Sequence, residues 1–172
     1  MNLKLGALIA ALSIVACSNL VRSQNESLAS APAQNPLNEP LHEKFTAEAW
    51  RAFHAGEYQN AITNADQCIA RFGEAANRIQ AILQSEKTTL PTGTVSDADK
   101  KRIARYQILH DVATCFLIKG WAEEKLGRKE EARKAYTEAT KHTQARSARP
   151  TGESFWSPAV KASERLTESS IP

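Results

Sequence analysis

Apolar residues fall at helical spacing through most of the chain. Leu41, Phe45, Ala49 with Trp50, and Phe53 recur every three or four positions and predict a helix from Leu41 to about Ala55, stopped by Gly56. A second run of Tyr58, Ile62, Ala65, Ile69, Phe72, Ala76, Ile79 and Leu83 extends to about Thr88. The turn residues of Leu90-Pro91-Thr92-Gly93-Thr94 mark a loop, and Ser96 with Asp99 three positions on marks a helix start. The third stripe, Ile103, Tyr106, Leu109, Val112, Phe116 and Leu126, ends at Gly127; a fourth, from Lys129 to Thr143, places Ala132, Ala135, Tyr136 and Ala139 on one face. Ser157-Pro158 supplies a cap and a first-turn proline for a short fifth helix, Ala159 to about Leu166. No stretch alternates at period two for long enough to predict a strand. The expected fold is all-α: about five helices in antiparallel hairpins, the last a C-terminal cap.

The N-terminal region has a different character. Met1 to Ala16 carries one lysine and then about a dozen apolar residues, shorter than the roughly 20 a spanning helix needs and suited to a secretory signal. The run ends Ile14-Val15-Ala16-Cys17-Ser18, which resembles the lipobox of bacterial lipoproteins. That resemblance implies a diacylglycerol on the Cys17 thiol, cleavage before it and acylation of the new amine. Three acyl chains anchor stably where one holds only marginally. Ser18, in place of aspartate, points by the same resemblance to the outer membrane. The small residues Ala16-Cys17-Ser18 also suit ordinary cleavage after Ser18. From residue 18 to about Pro40, Ser, Asn, Gln and Pro dominate, which predicts a flexible tether with a root-mean-square reach of roughly 25 Å.

Ala49-x6-Gly56-x-Tyr58-x2-Ala61-Ile62-x2-Ala65 resembles a tetratricopeptide repeat, and Gly120-x6-Gly127-x4-Ala132-x3-Tyr136-x2-Ala139 resembles a second. In that family small residues let the paired helices approach and the mid-repeat glycine ends the first of them. Glu123 stands where an aromatic is usual, and Gly73 and Gln144 where proline is usual. Gly93 and Ala98 lie one 34-residue period before Gly127 and Ala132, so a degenerate middle repeat competes with one long hairpin. Charged Glu86, Arg102 and Arg105 at its other signature positions favour the hairpin, its second and third helices each about 30 residues and the third unbroken from Asp97 to Leu126. The resemblance implies a ligand groove lined by the first helix of each repeat. It would present Thr46, Trp50, Phe53 and His54 from the first, and Leu117, Trp121, Glu124 and Lys125 from the second. Both tryptophans stand six residues before their repeat glycine, so they should share the groove; each could instead pack beneath the fifth helix. Phe155 and Trp156 are expected to seal the open end of the stack.

With the hairpin turn near position 92, Cys68 lies 24 residues before it and Cys115 23 after, which sets them opposite each other. If Cys17 is lipidated, this even pair is a candidate disulfide in an oxidising compartment; otherwise the two are small buried hydrophobes.

Composition narrows the function. Twenty-eight alanines against eleven aromatics favour helix, and a net charge of +3 is too small for a nucleic-acid interface. Charge is segregated: residues 18–99 hold six basic and ten acidic groups, residues 100–149 thirteen and six, an asymmetry that can steer an acidic partner, anionic lipid head groups or a second copy of the protein, and that an ordinary solvated face explains equally well. No HExxH, phosphate-binding glycine loop, GxSxG or CxxC is present, and no metal or cofactor site is expected. His110-Asp111 near Cys115 is the one grouping resembling a nucleophile with a base, but on one helix His110 and Cys115 point roughly 140° apart. This reads as a surface histidine beside a core cysteine, with no catalytic residue. The expectation is therefore a lipid-anchored periplasmic adaptor that holds a protein or peptide, with partner-binding residues Trp50, Phe53, His54, Leu117, Trp121 and Lys125. The alternative is a structural accessory subunit of an envelope or secretion assembly.

Overall fold

The computed structural model describes residues 40–149 and 152–168. The signal segment, Cys17 and the tether up to residue 39 lie outside them. The described chain is mostly helical, as expected: α1 (Leu41–His54), α2 (Tyr58–Ser85), α3 (Asp97–Ala104), α4 (Gln107–Lys125), α5 (Lys129–Thr140) and α6 (Pro158–Glu168). No described helix is long and apolar enough to cross a membrane.

Helices α1 and α2 form one hairpin and α4 and α5 another, and α2 packs against α4 to build the main core. Gly56 ends α1 at φ 78°; its N–H donates to Phe53 O (3.1 Å) and that of Glu57 to Ala52 O (2.9 Å). Gly127 ends α4 in the same way at φ 75°, with Gly127 donating to Glu124 O (3.0 Å) and Arg128 to Glu123 O (2.9 Å). These paired bonds satisfy the last carbonyls and reverse the chain within three residues. Ser96 caps α3, its Oγ accepting from Asp99 N at 3.1 Å. Ser157 Oγ accepts from Val160 N at 3.3 Å just ahead of Pro158.

Three expectations are corrected. The long third helix is broken into α3 and α4 at Arg105–Tyr106, where Tyr106 leaves helical geometry (φ −115°, ψ 30°). The break lets Ile103 O meet the ring of His110, which donates to it from Nε2 at 2.8 Å. There are thus six helices among the described residues, not five. A small antiparallel sheet also forms, β1 (Gly93–Thr94), β2 (Ser147–Ala148) and β3 (Ser154–Trp156) in the order β1-β3-β2, with Gly93 opposite Phe155 and Ser147 opposite Trp156. Strand β3 sits between the two apolar clusters: Phe155 packs on the α1–α2–α4 core, Trp156 on the smaller cluster of Leu117, Ala132, Tyr136, Ala139 and Ala162.

The sheet is fastened by Arg146, which is buried. Its Nε donates to Leu90 O (2.8 Å) and Pro91 O (3.0 Å), its Nη1 to Thr143 O (2.9 Å) and Ala145 O (2.7 Å), and its Nη2 to Leu90 O. The guanidinium has no carboxylate partner among the described residues; four carbonyl groups take its place. Burial lowers its pKa from the ordinary arginine value.

Candidate functional site

The face that α1 turns inward is small and polar rather than aromatic. His42, Thr46, Ala49 and Ala52 are buried against α2 and α4, whereas Leu41 is exposed and Phe45, Trp50 and Phe53 are only partly covered. Alanine at the crossing allows close approach, and the large rings are displaced to the rim. There they meet the rim of α4. Trp50 and Trp121 lie with ring centroids 5.6 Å apart, Phe53 and Trp121 5.9 Å, and His54 stacks on Trp50 at 5.2 Å with planes 10° apart. Aromatic pairs at such separations stabilise beyond the area they bury.

These rings floor an open groove of about 630 Å³, lined by Trp50, Phe53, His54, Trp121, Glu124, Lys125 and Arg165. Trp50, Phe53, His54, Trp121 and Lys125 are thereby brought together. Leu117 is not: it is wholly buried in the cluster with Ala132, Tyr136, Ala139 and Ala162 from α5 and α6, against which Trp121 packs from one turn further on. Thr46, also expected in the groove, is buried in the core. Arg165, from α6, is a lining residue that sequence reasoning missed; nothing local connects it to Glu124, 41 positions away.

Glu124 and Arg165 form the far wall, with the Tyr136 hydroxyl bonded to Glu124. Tyr136 OH donates to Glu124 Oε2 at 2.7 Å, Arg165 Nε donates to the same oxygen at 3.3 Å, and Arg165 Nη2 pairs with Glu124 Oε1. Burial pushes the Glu124 carboxyl up, but the Tyr136 and Arg165 hydrogen bonds outweigh it and leave the pKa below the usual value. Burial and the Glu124 carboxylate push the Tyr136 phenol well above its ordinary value. Glu124 is therefore an anion already neutralised within the protein. Arg165 also pairs with Glu168.

A second polar cluster lies one turn away along α1. Thr46 Oγ1 donates to His42 O (2.8 Å) and stands 3.3 Å from Cys115 Sγ and 3.9 Å from Cys68 Sγ. The two cysteines face each other across α2 and α4, but as buried free thiols, not the disulfide expected. Both sulfurs are taken up in hydrogen bonding around Thr46. The Cys68 sulfur, and after it burial, pushes the Cys115 thiol well above its ordinary pKa, which keeps it protonated. His42 Nδ1 lies 2.6 Å from Asp111 Oδ2, and Gln107 Nε2 donates to Asp111 Oδ1 at 3.0 Å. Burial raises the Asp111 pKa against the pull of these partners.

His110 is not a surface residue. It is buried, donates from Nε2 to Ile103 O and accepts at Nδ1 from Arg146 N (3.1 Å), which fixes its tautomer and leaves neither nitrogen free for Cys115. Among the described residues no group of three or more His, Cys, Asp or Glu side chains is placed to hold a metal ion.

No family model, curated protein or solved structure matches this chain.

Proposed function

We propose that the protein is a non-enzymatic adaptor that holds a protein or peptide partner in the Trp50–Trp121 groove. The observation that supports it most is the group of four rings, Trp50, Phe53, His54 and Trp121, gathered at the rim of the helix crossing around an open groove. Large, stiff rings on a surface are the side chains that dominate binding energy in protein contacts. The volume suits two or three residues of a peptide, and falls within the range of ligand pockets generally. The two glycine-ended hairpins and the alanine-lined crossings support a scaffold of the tetratricopeptide type. The Ile14-Val15-Ala16-Cys17 run supports a lipid anchor at Cys17 and a periplasm-facing position at the cell envelope, and Ser18 after it supports the outer membrane.

The test is site-specific photocrosslinking in cells, with a benzophenone amino acid at His54 in the groove or at exposed Ile82 on α2. The reading expects a discrete crosslinked partner from position 54, none from position 82, and loss of the product in Trp50→Ala and Trp121→Ala variants whose circular dichroism is unchanged. Equal products from both positions, or products that survive both substitutions, would refute it.

A further inference from the structure

We infer that the groove is one half of a bipartite site, and that its ligand is an acidic peptide segment with a bulky apolar residue nearby; this rests on the adaptor reading above. A second hollow of about 420 Å³ opens between α5 and α6, lined by Lys129, Arg133 and Tyr136 among others. It shares Glu124 and Arg165 with the aromatic groove, so the two hollows lie on either side of that ion pair. An extended chain crossing the pair reaches both.

The charges decide what kind of chain. Arg165 pairs with Glu124 in the shared wall and with Glu168 in the second hollow, one cation between two carboxylates, and Glu124 also accepts from Tyr136. Lys125, Lys129 and Arg133 have no ion-pair partner among the described residues, while Glu130 and one negative charge of the Arg165 group are left on the acidic side, so the two hollows together carry one net positive charge. The aromatic rings could in principle hold a cation over their faces. Lys125 stands at the same rim and opposes one, while the single carboxylate there is paired with Arg165. An apolar side chain in the aromatic half and carboxylates beside Lys129 and Arg133 satisfy both halves.

Three peptides with blocked termini test this, so that no terminal carboxylate contributes: fluorescein-labelled Phe-Leu-Ala-Glu-Asp-Glu, the same with lysine for its three acidic residues, and the same with alanine for Phe-Leu. Binding to the purified chain is read by fluorescence anisotropy. The first should bind at least tenfold more tightly than either other, and weaken with salt. Lys129→Glu with Arg133→Glu, both exposed, should cost the first peptide at least tenfold and improve the lysine peptide. The inference is overturned if the lysine peptide binds as well as the first, if the double variant changes affinity less than twofold, or if none of the three binds. In each of these cases a crosslink from position 54 would still uphold the groove, so the two readings fail separately.

Discussion

Gly120 on α4 lies directly beneath the ring of Tyr136 on α5. A Cβ at position 120 would overlap Tyr136 Cδ1 and Cε1 and come within 2.9 Å of Cζ. This contact sets the spacing of the second hairpin and, through the Tyr136 hydroxyl, holds Glu124 at the groove wall. Gly120→Ala should therefore destabilise by about 2–3 kcal/mol, the upper range for overpacking. Gly73→Ala is the opposite case: Gly73 is inside α2, with its nearest neighbour, Ile69 Cγ2, 3.9 Å from the added Cβ. It should stabilise by about 0.5–1 kcal/mol through backbone entropy. Urea unfolding of both variants checks the pair; equal effects would mean that space at residue 120 is not limiting.

The three tight helix ends offer a comparison among themselves. Gly56 and Gly127 take positive φ, and so does Lys87 (φ 54°) at the end of α2, where Lys87 N donates to Gln84 O (3.0 Å) and Thr88 N to Leu83 O (2.9 Å). A lysine there carries the left-handed strain that glycine avoids, about 1 kcal/mol. Lys87→Gly should raise stability by about that amount, and Gly127→Ala, with open space around it, should lower it similarly. The urea midpoint reads both; a destabilised Lys87→Gly would show that the lysine side chain matters more than its backbone.

The features legible in the sequence were those with local causes. Glycines ended α1 and α4, Ser96 and Ser157-Pro158 opened α3 and α6, and the matched spacing of Trp50 and Trp121 from their turn glycines brought them together. What escaped was set by distant contacts. No proline or glycine marks the break at Tyr106; the bond from His110 spans seven residues to Ile103 O, and the Arg146 amide that orients His110 lies 36 positions on. Leu117 and Trp121 are one turn apart and share a face, but α5 and α6 cover Leu117 completely and Trp121 only in part, so only Trp121 reaches the groove. Strands of two or three residues, paired across about 60 positions as Gly93 is with Phe155, carry no periodicity to read. In α1 the expected apolar face was the rim, because small residues took the crossing.

Acid should weaken the fold through His110. Burial lowers its pKa to about 4, so the folded protein keeps it neutral while the unfolded chain protonates it near 6.5. The unfolded state therefore binds more protons between those values, and stability present above pH 6.5 is lost as pH falls towards 4, by up to about 3 kcal/mol from this residue. His142 is lowered by burial too and acts in the same direction; Asp111, raised by burial, acts in the opposite one. Urea unfolding between pH 7.5 and 4.5 measures the sum, and nuclear magnetic resonance of the His110 ring isolates the main part. A His110 midpoint near 6.5 would refute the assignment.

Arg146 should be irreplaceable by lysine. Arg146→Ala leaves the carbonyls of Leu90, Pro91, Thr143 and Ala145 without their donors, at a cost of about 2–4 kcal/mol. Arg146→Lys keeps the charge but cannot reproduce a planar fork bonding on several sides at once, so it should recover less than half of the loss. The local signature is faster amide exchange at 88–95 and 143–149, with α1 and α2 unchanged. Full rescue by lysine would mean that the charge, not the fork, fastens the sheet.

The thiols give the sharpest check on the packing of α1 against α2 and α4. Cys68 and Cys115 are buried with no exposed surface, and the Cys115 thiol is held protonated, so neither should react with a disulfide reagent at pH 8 in the native protein. Both should react within seconds once urea unfolds the chain, without prior reduction. Thr46→Val removes the hydroxyl between them and its hydrogen bond to His42 O; because Thr46 is one turn from Trp50 on α1, this should also loosen the groove end of the helix. The expected result is a destabilisation of about 1 kcal/mol together with thiol reactivity measurable in the native state. If the thiols of the unfolded, unreduced protein remain blocked, they are joined to each other, and the hydrogen-bonded arrangement around Thr46 is wrong.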